Sequence, residues 1–204
     1  MGSNSRPTKG NGGKRQPHRR EQIMDAAMDL FHQKGYHGTG MDEIGDAAGI
    51  TGPGVYRHFK SKEQILAVGV RAAVTDSLER SRAIVESTDS PERALEGLIG
   101  NFVDGLLRNR AVAAVVMRER RALAPTTRRW VDRAERLHVE EWVHVISQLR
   151  PDLSDGQIRM MVHAALWMCL SVAYYESGLN AEAEGEVLKH MTRAALLCFA
   201  RRPT

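Results

Sequence analysis

From about residue 18 onward, apolar residues return every three or four positions, the spacing that lines one face of an α-helix. Ile23, Ala27, Leu30 and Phe31 set a first helix, expected from about His18 to Lys34 and stopped by Gly35. Met41, Ile44 and Ala48 mark a second, short helix that ends at Gly49. After Ile50-Thr51-Gly52-Pro53-Gly54 a third short helix runs to Phe59. Ser61 is placed to cap a fourth, with Glu63 in its first turn, and this helix reaches about Val85.

Longer helices follow. Ser90 and Pro91 have the cap-then-proline form of a helix start, and Leu95, Leu98, Ile99, Phe102 and Leu106 continue it. A shorter helix is expected over Ala111–Leu123, then one from Thr126 to Leu149 that ends before Pro151. Ser154 or Asp155 caps the next, which reaches about Tyr175 before Gly178; the last covers Ala183–Arg201. No segment sustains the alternation of a strand. The expectation is an all-α fold of about nine helices, without internal repeats.

Residues 1–17 stand apart, rich in Gly, Pro, Ser, Asn, Lys and Arg. Such a segment buries too little apolar surface to offset its ordering entropy, so a disordered arm is expected. Charge sharpens this division. Of 29 Lys and Arg, six lie in the first 20 residues with no acid among them, leaving 23 against 25 Asp and Glu in the rest. A formal charge of +4 therefore belongs to one end, as in a nucleic-acid-binding arm. The two cysteines, Cys169 and Cys198, lie in apolar helical runs and form no disulfide framework. The uncharged stretch Met161–Tyr175 is shorter than the roughly 20 apolar residues of a membrane helix, and no secretory signal is visible. A cytoplasmic protein without membrane attachment is expected. No nucleophile motif, paired carboxylates, phosphate loop or metal cluster appears, so neither enzyme chemistry nor a metal or cofactor is expected.

Residues 40–59 carry the clearest chemistry. Two short helices joined at a glycine make a helix-turn-helix, here within about residues 39–60. Gly45, Ala47 and Ala48 are small enough for close approach, and Gly49 tolerates positive φ. Val55 and Phe59 face inward with Ile44, which turns Gly52, Gly54, Tyr56, Arg57 and His58 outward. Tyr56 and His58 suit phosphates, and Arg57 suits phosphate or guanine. Thr51 lies at the start of the recognition helix, where free N–H groups favour phosphate. Thr39 and Lys62 complete a double-stranded-DNA-binding set.

The spaced set Phe31, Gly35, Tyr36, Ile44, Ala48-Gly49-Ile50-Thr51 and Val55-Tyr56-Arg57-His58-Phe59-Lys60-Ser61-Lys62-Glu63 resembles the TetR/AcrR family of bacterial regulators over about residues 19–66. The resemblance implies a three-helix DNA-binding domain (18–64) joined by the fourth helix to a larger helical bundle (65–204). It further implies a homodimer formed through the last two helices, a near-palindromic operator and a transcriptional repressor released by a small inducer. A ligand-independent or activating regulator of the same fold is the alternative. Gly40 stands where this family often has a capping Thr, and Gly54 where the recognition helix often has Thr or Ala.

Apolar residues all round Met161–Tyr175, with Val187, Leu188, Met191, Ala194, Ala195 and Cys198 beyond, suit burial against a second copy. Phe102, Leu106, Met117, Trp130, Leu137, Trp142, His163, Trp167 and Tyr174 are the candidate lining of an apolar inducer pocket, with His138 and Glu141 adding polarity. A basic segment, Arg118, Arg120, Arg121, Arg128, Arg129, Arg133 and Arg136, is interspersed with Glu119, Asp132 and Glu135. Ion pairs between helical turns account for most of it; the other reading is an anionic ligand such as a coenzyme A thioester.

Overall fold

The structure, a computed structural model, describes residues 15–197, with side chains from residue 18. These residues form α1 (Arg15–Lys34), α2 (Met41–Ala47), α3 (Gly52–Tyr56), α4 (Lys62–Glu86), α5 (Pro91–Arg108), α6 (Arg110–Glu119), α7 (Pro125–Leu149), α8 (Asp155–Leu170) and α9 (Ala181–Leu197), with no strand among them. Local chemistry sets the ends. The hydroxyls of Thr51, Ser61, Ser90 and Ser154 each accept from the N–H three residues on and so cap α3, α4, α5 and α8. Gly35, Gly49 and Gly178 take φ of 81°, 66° and 73° at the turns that need it.

Several boundaries differ from the pattern-based ones. α1 begins at Arg15 rather than His18, and α6 stops at Glu119 rather than Leu123. α3 closes at Tyr56, three residues before Phe59. α8 gives way after Leu170 to a single 3₁₀ turn, Ser171–Ala173, because the N–H groups of Tyr174 and Tyr175 both fold back on the Ser171 carbonyl, at 2.9 and 3.1 Å. Tyr174 and Tyr175 thus lie beyond the helix. The expected arm up to residue 14, the end of the last helix at Arg201, and Cys198 lie outside the described residues.

Two apolar cores organise the molecule. The first joins Ile23, Phe31, Tyr36, Ile44, Val55, Phe59 and Leu66 to Val115, Leu123 and Val131. The second joins Leu95, Leu98, Ile99, Val103, Trp142, Ile146, Val162, Cys169 and Leu188. Each fully buried large side chain contributes roughly 1.5–3 kcal/mol from leaving water. The first core draws on both sides of position 64, since α6, the loop after it and the start of α7 complete it. α4 and α7 run through both cores, which ties the helix-turn-helix to the larger bundle.

Candidate DNA-binding surface

α2 and α3 pack at a distance set by Gly45. A Cβ added there would stand 2.9 Å from both the Gly52 nitrogen and the Ile50 carbonyl oxygen, and 3.0 Å from Thr51 carbonyl carbon. These are backbone atoms, so nothing can yield. Gly49 then turns the chain, and the Ile50 N–H returns to the Gly45 carbonyl at 2.9 Å. Val55 and Phe59 are buried beneath α3 as expected. Of the three small residues in α2 and its end, Gly45 makes the close contact, while Ala47 faces solvent.

The opposite face of α3 is open. Tyr56 is 55% exposed, and Arg57, which ends the helix, is exposed as well. Thr51 is exposed; its Oγ accepts from the Gly54 N–H at 3.3 Å, leaving its own O–H free to donate outward. His58 is half-buried. At Gly54 an added Cβ would meet only ordinary contacts, Thr51 Oγ1 at 3.4 Å and Ile50 Cβ at 3.5 Å. Gly54 is therefore not required by the fold. α2 lacks a capping side chain at Gly40, and Glu43 compensates. Its carboxylate takes Lys34 Nζ at 2.8 Å and the Gly40 N–H at 2.9 Å, and both hold its pKa below the ordinary value.

Three residues expected to touch DNA have other work. Thr39 is buried and donates its hydroxyl to the Gly35 carbonyl at 2.9 Å, which fixes the loop between α1 and α2. Gly52 is buried where α3 meets α2, and a side chain there would collide with Asp42. Lys62 donates to the carbonyls of Tyr36, His37 and Thr39 at 2.9, 3.3 and 3.1 Å, with its ammonium 4.7 Å from the Tyr36 ring centre. Its three donors are used, so it ties α4 to the α1–α2 loop instead of meeting a phosphate. Lys60, two residues earlier, is exposed. Arg19 and Arg20, counted above with the basic arm, are also committed. Arg19 reaches the Ala48 carbonyl at 3.4 Å, and Arg20 reaches the His58 carbonyl at 2.6 Å while lying 4.2 Å over the Phe59 ring. These cations satisfy carbonyls near the ends of α2 and α3, beyond the reach of any neighbour in sequence.

This geometry agrees with the comparisons. Residues 23–68 match the family model described as bacterial regulatory proteins, tetR family. The chain is 28% identical over 177 residues to the HTH-type transcriptional repressor KstR2 of Mycobacterium tuberculosis, covering 82% of this chain and 88% of that one. The solved structure of that regulator superimposes with a TM-score of 0.75 at 25% identity, over 90% of this chain and 96% of the other. Over residues 23–68 the chain is thus similar to the tetR family of bacterial regulatory proteins. A second relative, the HTH-type transcriptional activator FasR of Mycolicibacterium smegmatis, is 46% identical over 99 residues, 40% of this chain and 45% of that one. The structure of AibR in complex with isovaleryl coenzyme A and operator DNA shares the fold, with a TM-score of 0.70 at 22% identity over 85% of this chain and 97% of AibR.

In this chain the nine residues expected around an inducer pocket do not gather in one place. Phe102, Leu106 and Trp142 do share the second core. Phe102 lies 5.4 Å from His138 and 6.0 Å from Trp142, centre to centre, and Trp142 Nε1 donates to His138 Nε2 at 3.1 Å. Burial pushes His138 down to about 4, so it is a neutral acceptor here. Leu137, His163, Trp167 and Tyr174 are exposed instead, Trp167 at 61%. Trp130 is half-buried beneath Arg71, 5.0 Å from its guanidinium, and Met117 is half-buried on α6. Arg118 lies 5.4 Å over Tyr174. Glu141, also expected to add polarity, is half-buried. Two open grooves of about 590 and 270 Å³ flank the α4–α5 connection at Thr88 and Asp89, and none of the nine lines either.

Proposed function

We propose that this chain is a ligand-controlled transcriptional repressor that binds a near-palindromic operator as a homodimer and is released by a small apolar or acyl-type inducer. The observation that carries the DNA-binding part is the exposed face of α3, with Tyr56 and Arg57 standing out from a helix held by Gly45 and Phe59. Thr51, Tyr56 and Lys60 hold phosphates, and Arg57 reads bases with His58 beside it. The exposed Met160 and Trp167 of α8 and Val187 and Met191 of α9 support dimerisation through the last two helices. A dimer would set two recognition helices in major grooves about 34–36 Å apart. No described helix is long and apolar enough to cross a membrane, and a cytoplasmic location suits this role. No catalysis is assigned to the chain.

The repressor KstR2 and the acyl-thioester complex of AibR favour repression relieved by a ligand. FasR, an activator, favours a second reading in which the same domain activates. An inducer acts by binding the DNA-incompetent conformer more tightly. Its affinity must then fall in the presence of operator, since coupling is reciprocal. Gel shifts on operator and random DNA test the interface. Tyr56→Ala should weaken both alike, about tenfold or more for a lost charge-assisted contact, whereas Arg57→Ala should shift the ratio between them. Equal losses for Arg57→Ala on both DNAs would remove its base-reading role.

A further inference from the structure

We infer that the solvent face of α7 is the docking site for the phosphorylated head of the inducer, so that the inducer is a phosphate-bearing conjugate rather than a free acid. This rests on the ligand-controlled reading above. Six of the seven arginines of the basic segment split into two groups once their partners are known; the seventh, Arg121, is exposed in the turn after α6. Arg118, Arg120 and Arg128 are committed within the chain. Arg120 holds Asp132 and Glu135, Arg128 reaches the carbonyls of Arg121 and Leu123, and Arg118 lies over Tyr174. Arg129, Arg133 and Arg136 are different. They fall four and three residues apart, on one stripe of the helix about 10 Å long. All three are exposed, and none has an ion-pair partner among the described residues.

The carboxylates nearest this stripe already have cationic partners, though each cation is shared by two acids. Asp132 and Glu135 are held by Arg120, and Glu140, the next residue along the stripe, is held by Arg159 at 2.6 Å. The start of α7 adds to the field. Its cap position is Ala124, with no capping hydrogen bond and no acid in the first turn, so the positive end of the helix is not neutralised. Arg71 of α4 extends the positive surface over Trp130. Trp130 and the half-exposed Leu137 border the stripe with apolar surface. Guanidinium groups with no ion-pair partner among the described residues suit phosphate above all, since each offers a planar fork of donors. Apolar surface beside them suits the linker of an amphipathic conjugate.

The probe is free coenzyme A, a phosphorylated head without an acyl chain, titrated calorimetrically into the full-length protein. Binding should appear with the wild type, weaken as salt rises, and fall at least tenfold in the triple variant Arg129→Gln/Arg133→Gln/Arg136→Gln. Thermal stability and affinity for random DNA should be unchanged in that variant. No binding to the wild type, undiminished binding to the variant, or a parallel loss of DNA affinity would each overturn the proposal; the last would assign the stripe to DNA. Operator release by an acyl thioester of coenzyme A is scored separately. If nothing releases the wild type from operator, the ligand-controlled reading fails, while the coenzyme A titration still decides whether the stripe is a phosphate site.

Discussion

The two cores of this molecule are finished to different degrees. The first, around Phe31, Tyr36 and Phe59, leaves one large apolar side chain outside, Tyr56, and that lies on the face proposed for DNA. Its edges are sealed by cations on carbonyls: Arg19, Arg20 and Lys62 each close a gap between elements distant in sequence. The second core is tightly filled around Trp142, yet its outer helices carry Met160, Trp167, Val187, Met191 and Leu197 in the open. Apolar surface of that extent is rarely left in water. The DNA-facing half leaves little apolar surface in the open, whereas the bundle leaves five large apolar side chains of α8 and α9 exposed.

The largest break in this contrast comes from Gly45→Val. Its side chain meets three backbone atoms of residues 50–52, so the α2–α3 unit should come apart, at about 5 kcal/mol, with operator binding abolished. Circular dichroism should show the bundle still helical. A variant that binds operator normally would mean that α2 and α3 can separate without harm. Trp167→Glu attacks the other half by placing a charge on the uncovered face. Sedimentation should move the species from twice 22.7 kDa to 22.7 kDa, and operator affinity should fall on the order of a thousandfold as avidity is lost. If Trp167→Glu remains a dimer, this face is not the interface.

The smallest effect concerns pH. His138 is pushed down to about 4 by burial, against 6.5 for the free side chain. Between those values the unfolded chain holds the extra proton, so stability is whole above about 6.5 and drains as pH falls toward 4. The loss from this residue is about 3 kcal/mol. Urea unfolding at pH 7 and pH 4 measures it, and His138→Gln should flatten the difference. An unchanged pH dependence in that variant would place the acid sensitivity elsewhere. The first core, without such a buried histidine among its named members, should contribute little to it.

Much of this was legible in the sequence because it is written locally. Caps at Ser61, Ser90 and Ser154, and stops at Gly35, Gly49 and Gly178, act within one helical turn and fix the order of elements. The inward pair Val55 and Phe59 follows from the helical period. The grouping of Phe102, His138 and Trp142 was legible in part, since Trp142 follows His138 by one turn. What the pattern hid is non-local. Lys62 reads as a basic residue at a helix start, and only the folded loop brings the carbonyls of Tyr36, His37 and Thr39 to its ammonium. Of two lysines flanking Ser61, the sequence favoured the one that folding consumes. Trp167 and Tyr174 were misplaced for two other reasons. A run of apolar residues all round a helix does not say which of them face its own core, and Tyr174 lies past the end of α8, in a tight turn that the apolar run does not announce.

Gly54 has an evolutionary consequence. Gly45 and Gly54 sit in the same motif, yet the first is locked by backbone and the second has room for a methyl group. A single base change can therefore add a side chain at position 54 of the reading helix with little effect on folding. Operator preference in this lineage can drift by small steps, through a position where selection on stability exerts almost no restraint.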